Sequence, residues 1–275
     1  MKRTAYLGPQ GTFSEEAAAI FARFSNAFSL RPYATISCCA RAVDKSEAEF
    51  AVVPLENSLE GSVAETLDIL TGSAELKIQA QLDIPIELCL LSTETEPGEI
   101  QEIYSHPHAL GQCRNYLQQF FPGIKTVPVL STAEAAAITA EQGKGTAAIA
   151  GRKAAEKYGL TVVAAGIEDN TSVTRFIALG REGSNLPQPE KTSILFSVKN
   201  TAGSLYAVLR AFAEHKVNMT RIESRPARSR LGEYIFFVDL DGTPQDAAVK
   251  AAIREAAREA VILKLLGFYP VLRYK

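Results

Sequence analysis

The sequence predicts an α/β protein in two parts: a larger region of alternating strands and helices, and a smaller α+β region of ferredoxin-like order. Three observations carry that expectation. Short apolar segments alternate with amphipathic helical ones before residue 181. A polar seam carrying two prolines and a glycine, Arg181-Glu182-Gly183-Ser184-Asn185-Leu186-Pro187-Gln188-Pro189-Glu190-Lys191, then breaks the pattern. Beyond it the order is βαββαβ. A length of 275 residues, at roughly 150 per domain, also suits two domains. The expected domains are residues 1–182 and 190–275.

Taken in order, residues 4–7 read as a strand, closed by the turn Gly8-Pro9-Gln10-Gly11 and followed by a helix over about 12–24. Residues 49–54 read as a second strand, and Glu56-Asn57-Ser58-Leu59-Glu60-Gly61 leads from it to a helix over 62–70. Strand-like 125–130 runs into Ser131 and a helix that stops at Gly143. Strands over 146–150 and 160–165 flank a short helix ended by Gly159. Strands and helices alternating at these lengths imply largely parallel sheets. After the seam, 193–198 alternates as a strand and 202–216 is an amphipathic helix. Strands over 219–222 and 234–240 are joined by a basic turn at 225–232, and a helix over 244–260 precedes a last strand within 261–269.

Composition narrows the function. The chain is 47% hydrophobic and 22% charged, and 29 Lys and Arg stand against 31 Asp and Glu, a net charge of −2 without long runs of either sign. A nucleic-acid binder held by charge would show a basic face, so no nucleic-acid partner is expected. Gly8-Pro9 arrives before any apolar stretch long enough for a signal peptide. No window holds the ~18 uninterrupted apolar residues of a membrane span; the longest candidates are broken by Glu87 and Lys264. Cys38, Cys39, Cys89 and Cys113 have neither metal-ligand nor C-x-x-C spacing. A reduced, cytoplasmic enzyme or binding protein is the expectation.

Three helix starts carry the Ser/Thr-x-x-Glu spacing of a capping box: Thr12 with Glu15, Ser62 with Glu65 and Ser131 with Glu134. Such boxes terminate helices. Helix starts also present unpaired N–H groups and a partial positive charge, worth ~0.3–1 kcal/mol to a bound anion. Two of them follow closely on strands, and open α/β sheets bind ligands at strand carboxyl ends. A cleft for a small anionic metabolite is therefore expected. Gly8-Pro9-Gln10-Gly11 is not a phosphate-binding loop, because no Lys-Ser or Lys-Thr follows at the required spacing. The three histidines, His106, His108 and His215, have no carboxylate or thiol at a recognised ligand spacing, so no metal is expected.

Tyr6-Leu7-Gly8-Pro9-Gln10-Gly11-Thr12-Phe13-Ser14 resembles the opening motif of prephenate dehydratases. Further strings resemble that family in the same order: Pro54-Leu55-Glu56-Asn57-Ser58-Leu59-Glu60-Gly61, then Ser105-His106-Pro107-His108-Ala109-Leu110-Gly111-Gln112-Cys113. Ser131-Thr132-Ala133-Glu134-Ala135-Ala136 and Asn170-Thr171-Ser172-Val173-Thr174-Arg175-Phe176 follow. The tail, with Gly203-Ser204-Leu205-Tyr206 and Asn218-Met219-Thr220-Arg221-Ile222-Glu223-Ser224-Arg225-Pro226, is similar to that family's regulatory ACT domain. The resemblance covers essentially the whole chain. It implies a catalytic domain of two α/β lobes around a cleft, like type 2 periplasmic binding proteins, followed by the ACT domain. It implies loss of carbon dioxide and water from prephenate to give phenylpyruvate in L-phenylalanine biosynthesis, without a cofactor. Some relatives carry a chorismate mutase in front; with the first motif at Tyr6, none is expected.

The resemblance also implies roles for residues. Thr174, in the catalytic string Thr174-Arg175-Phe176, is expected to donate a hydrogen bond to the departing ring hydroxyl. Arg175 either binds a carboxylate or braces the site, and Phe176 packs. Without the resemblance the string reads as a strand with one exposed arginine. Substrate contacts are expected from Thr12, Glu56, Asn57, Ser58, Gln112, Ser131 and Thr132, although turn formation, helix capping or solvent exposure would explain the same residues. His108 departs from the Gln usual in the family and is left out of the catalytic set. Gly203, Ser204 and Leu205, with Asn218, Glu223, Ser224, Arg225 and Pro226, are expected to bind the effector L-phenylalanine where ACT domains pair, in a homodimer or homotetramer. Arogenate dehydratase shares the quoted motifs and stays open. A sensor without catalysis, or a solute-binding protein, is the contrasting class; intact Thr174, Asn57 and Gln112 speak against the first, and the ACT tail against the second.

Overall fold

The computed structural model describes residues 2–181, 186–227 and 232–274. Residues 182–185 of the expected seam and 228–231 of the expected basic turn lie outside them. The chain divides into two compact units, Met1–Thr66 with Asp83–Phe176, and Leu67–Leu82 with Ile177–Lys275.

The first elements are β1 (Arg3–Leu7), α1 (Phe13–Ser25), β2 (Ser29–Tyr33), α2 (Ile36–Asp44) and β3 (Phe50–Asn57). The two-residue β4 (Gly61–Ser62), α3 (Ala64–Gly72) and β5 (Lys77–Ile86) follow. β1 lies parallel to both β2 and β3, so Leu7, Tyr33 and Asn57 leave the sheet at the same end. The sheet order is β2-β1-β3-β11-β5, where β11 is Ser172–Gly180; β4 pairs antiparallel with the end of β3. β5 and β11 each run from one unit into the other.

A second sheet lies wholly in the first unit. It contains β6 (Cys89–Ser92), β7 (Glu102–Ser105), β8 (Lys125–Pro128), β9 (Thr146–Ala150) and β10 (Thr161–Ala165) in the order β10-β6-β9-β7-β8. Its helices are α4 (Pro107–Gln112), α5 (Arg114–Phe120), α6 (Thr132–Gln142) and α7 (Arg152–Tyr158). Here the expectation of largely parallel strands needs correction. β7 is parallel to β8 and β9, but β6 is antiparallel to β9 and β10. Period-two alternation sends Leu90, Ile103, Ala147 and Ile149 to one core and Cys89, Leu91, Tyr104, Ala148 and Ala150 to another. A sheet covered on both faces needs apolar residues at every position, so its strands read as continuous apolar runs.

In the second unit, β12 (Lys191–Ser197), α8 (Ser204–Glu214), β13 (Met219–Pro226), β14 (Tyr234–Asp241), α9 (Ala247–Glu259) and β15 (Ile262–Tyr269) realise the expected βαββαβ order. The sheet runs β13-β14-β12-β15, and its core of Ile194, Phe196, Val238 and Leu240 packs on Val208, Ala211 and Phe212 of α8 and on Val249, Ala252 and Ala256 of α9.

Candidate active site

The centre of the site is a hydrogen bond between two strands. Asn57, the last residue of β3, donates from Nδ2 to Thr174 Oγ1 at 2.9 Å. The strand expected to end at 54 runs on to 57, so this asparagine is a strand residue whose side chain is held by the turn after it. Its Oδ1 accepts from the backbone N–H of Leu59 at 2.9 Å and of Glu60 at 3.1 Å. An acceptor saturated by two backbone donors fixes which end of the amide is oxygen, so the NH2 end must face Thr174. Thr174 Oγ1 is thus an acceptor toward Asn57, and its own proton remains available for a ligand. Ser58 locks the strands together: its N–H donates to Val173 O at 2.9 Å and its Oγ accepts from Val173 N at 3.0 Å.

Alternation along the strands separates the other members of the two motifs. Asn57 and Thr174 share one face, whereas Glu56 and Arg175 point to the opposite one. There Arg175 Nη1 meets Glu56 Oε2 at 3.1 Å, and its Nε meets Asp83 Oδ1 at 3.3 Å. Glu56 thus pairs with Arg175, and the two carboxylates hold Arg175 in the arrangement that the bracing role calls for. Phe176, 2% exposed, packs in the core. Asp83 was missed, because nothing in sequence sets it apart from any carboxylate on a strand.

The lobes of the first unit meet through the carboxyl ends of their strands. After β1 stand Gly8 to Thr12, and after β7, β8 and β9 stand His106, Ser131 and Gly151. A cavity of ≈ 730 Å³ is lined by Leu7, Gly8, Thr12 and Tyr33 from one lobe and by Ser131, Glu134 and Tyr158 from the other. Thr174 and Asn57 are not among its lining residues. The lobes also touch directly. Tyr158 Oη donates to Gln10 O at 3.2 Å, and a Cβ on Gly151 would come within 2.8 Å of the Phe13 ring.

The helix starts at this cavity behave differently from one another. Thr12 caps α1 by accepting from Glu15 N, while its hydroxyl faces Pro9 O at 3.0 Å and Leu7 O at 3.3 Å. Thr12 is thus engaged both as cap acceptor and as donor within its own turn. Ser131 Oγ accepts from Glu134 N at 3.0 Å, and its proton is free to be donated into the cavity. Thr132 opens α6 behind it. The carboxylates of Glu15 and Glu134 accept from Gly11 N and Leu130 N, one residue before each cap. The Ser62 box does not form: Ser62 is in β4, α3 starts at Ala64, and the Glu65 carboxylate accepts from Ser37 N and Oγ. Among the described residues, no Lys or Arg lines the cavity. An anion there would meet hydroxyls and helix N–H groups.

Gln112 ends α4, and its carbonyl accepts from Asp169 N at 2.6 Å, just before β11. His106 is the N-cap of α4, with Nδ1 accepting from His108 N at 3.3 Å. Burial, with some help from neighbouring His108 and against Glu60, pushes the His106 pKa down and keeps the ring neutral, as an accepting Nδ1 requires. His108 Nδ1 lies 3.5 Å from Glu60 Oε2 on the other lobe. Among the described residues no three His, Cys, Asp or Glu side chains are grouped to hold a metal.

In the C-terminal sheet, Ser197 and Arg225 are both in register with Ile235, whereas Met219 and Thr192 are both in register with Leu240. Glu223, Ser224, Arg225 and Pro226 therefore share one sheet end with the turn leading to Gly203, Ser204 and Leu205. Asn218 lies at the other end, ~20 Å away along the strand. One chain does not gather all the residues expected to hold an effector. Asn218 instead donates to Asp241 Oδ2 at 2.8 Å, and Arg225 Nη1 lies 3.0 Å from Asp68 Oδ1 of α3.

The family model for prephenate dehydratase matches residues 4–184, and that for the ACT domain matches residues 192–258. The chain is 39% identical to the bifunctional chorismate mutase/prephenate dehydratase of Aquifex aeolicus, covering 98% of this chain and 73% of that one. It is 37% identical to the prephenate dehydratase of Mycobacterium sp. (strain JLS), over 98% and 89%. Among solved structures, prephenate dehydratase from Arthrobacter aurescens in complex with L-Phe superposes with a TM-score of 0.87 at 35% identity, over 98% of this chain and 89% of that chain. A chain described as GqqA, a novel type of quorum quenching acylase, superposes with a TM-score of 0.88 at 30% identity, over 98% of each chain.

Proposed function

The chain belongs to the prephenate dehydratase family, and we propose that it converts prephenate to phenylpyruvate at Thr174, within L-phenylalanine biosynthesis. The observation that carries the assignment is the oriented Asn57–Thr174 pair. In the reaction the bond from the ring to its carboxylate breaks, and that electron pair completes the aromatic ring. The bond to the ring hydroxyl breaks in turn, and the hydroxide leaves as water after taking up one proton. Thr174 supplies the hydrogen bond to that leaving oxygen. A lone threonine hydroxyl is a poor acid, but accepting from Asn57 polarises it and steadies the charge left on Oγ1. Aromatisation provides much of the drive, so positioning and one aimed donor suffice. The substrate carboxylates are assigned to the Ser131 hydroxyl and the α1 and α6 N-terminal N–H groups, with Gln112 and Ser58 completing the pocket.

Residues 1–182 are assigned to catalysis and 190–275 to the ACT domain, in line with the two family matches. The ACT domain binds L-phenylalanine. The separation of Asn218 from the Glu223–Pro226 end supports a binding site completed by a second chain, hence a homodimer or a homotetramer. Four free thiols suit a reduced, cytoplasmic setting. The test is an ultraviolet assay of phenylpyruvate from prephenate, with arogenate as competing substrate and with and without L-phenylalanine. Turnover of prephenate above arogenate, altered by L-phenylalanine, is expected. No phenylpyruvate would remove the assignment, and faster turnover of arogenate would reassign the substrate.

A further inference from the structure

Helix α3 begins three residues after the loop that orients Asn57. Its first turn and the residue before it are bonded to β3: Thr66 Oγ1 donates to Pro54 O at 2.6 Å, and Val63 N to Leu55 O at 2.8 Å. From Leu67 onward the same helix belongs to the second unit, where Leu67 and Leu70 are buried.

There both edge strands of the ACT sheet grip it. α3 has no basic residue in its own last turn. The cation that a helix C-terminus favours comes instead from β15. Lys264 Nζ donates to Leu70 O at 2.7 Å and to Thr71 O at 3.3 Å, and also bonds Ser73 O. At the opposite edge, Arg225 of β13 holds Asp68. Arg225 is in register with Ile235, and Lys264 with Leu195, which is itself in register with Phe237. All of these belong to the sheet face turned away from α8 and α9. Burial presses the Lys264 pKa down, with Lys77 adding to it; an ammonium is kept there because it has carbonyls to bond.

We infer that α3 is the coupling element between the effector strand and the active site, with Asp68–Arg225 and Lys264 as its two attachments. The inference rests on the proposed reading of the C-terminal domain as an L-phenylalanine sensor. Arg225 lies within the Glu223–Pro226 string that the effector would meet. A ligand that reorders this strand end changes the hold on Asp68, and α3 carries the change to β3 through Thr66 and Pro54. Coupling of this kind requires the effector to bind the two placements of α3 with different affinities.

The full-length protein is tested as Asp68→Asn, which keeps the side-chain shape, as Lys264→Met, and as Lys264→Arg, which keeps a cationic donor. Neither position is among the residues assigned to substrate or effector. Turnover of prephenate without L-phenylalanine is expected within about threefold of the parent, with L-phenylalanine still binding by calorimetry. The effect of saturating L-phenylalanine on turnover falls at least about fivefold in Asp68→Asn and Lys264→Met, the lower end of usual coupling factors. Lys264→Arg keeps most of it. An undiminished response in both Asp68→Asn and Lys264→Met overturns the inference. So does loss of unregulated turnover in folded Asp68→Asn, since α3 would then merely support the site. A parent protein that neither turns over prephenate nor binds L-phenylalanine refutes the underlying reading instead, and the parent assay alone reveals that case.

Discussion

At the scale of single residues, the site depends on which atom of each side chain is already engaged. Asn57 spends its oxygen on the backbone of Leu59 and Glu60 and its nitrogen on Thr174, so the amide orients the hydroxyl. Removing the donor, Thr174→Ala, is expected to lower kcat by ~10²-fold or more, whereas Thr174→Ser retains most of it. Because Asn57 acts through Thr174, the double variant Asn57→Ala/Thr174→Ala should be hardly slower than Thr174→Ala alone. Steady-state turnover of the two single variants and the double variant checks this, and additive losses would separate the two side chains. Thr174 was legible as part of a string of residues. That Asn57 holds it was not, since the residues are 117 apart and meet only because β3 and β11 are neighbours. The local half of the arrangement did have a signal, as an Asn bonding the backbone two residues on is a common turn former.

At the scale of elements, helix starts were legible and their tasks were not. The spacing that marked Thr12, Ser62 and Ser131 is the same in all three, yet the structure uses them differently. Thr12 is consumed by its own turn, Ser62 pairs in β4, and Ser131 has a proton to offer the cavity. Thr12→Ala should therefore cost stability alone, ~1 kcal/mol in urea unfolding, with KM for prephenate unchanged. Ser131→Ala should cost a similar amount of stability and raise KM as well. Equal KM values in both variants would take the Ser131 hydroxyl out of the substrate pocket.

At the scale of the molecule, burial couples the fold to pH. Cys39 and Cys113 are enclosed, and burial, the leading cause, lifts each thiol from 9.0 to about 12. An unfolded chain releases these protons near pH 9, whereas the folded chain holds them to about pH 12. Below pH 9 both states carry them, and stability does not depend on them. As pH rises above 9 the unfolded state binds fewer protons, so the free energy of unfolding falls. Urea midpoints at about pH 8 and about pH 10.5 should show the drop, and Cys39→Ala/Cys113→Ala should flatten it. The whole chain also shows the limit of fold-level argument. Structures described as a prephenate dehydratase and as an acylase superpose on it almost equally well, with TM-scores of 0.87 and 0.88. Chemistry must be read from the site.

Local patterns were enough to locate most strands and helices, the C-terminal βαββαβ order and the motif strings, because apolar periodicity, caps and turn residues act over a few neighbours. Pairing could not be obtained that way. The strand directions of the second sheet, the capture of Arg175 by Glu56 and Asp83, and the hold of Lys264 on the end of α3 each join residues far apart in the chain. Which distant group meets which is settled by how the sheets are assembled and what they bury, and no short stretch of sequence contains that information.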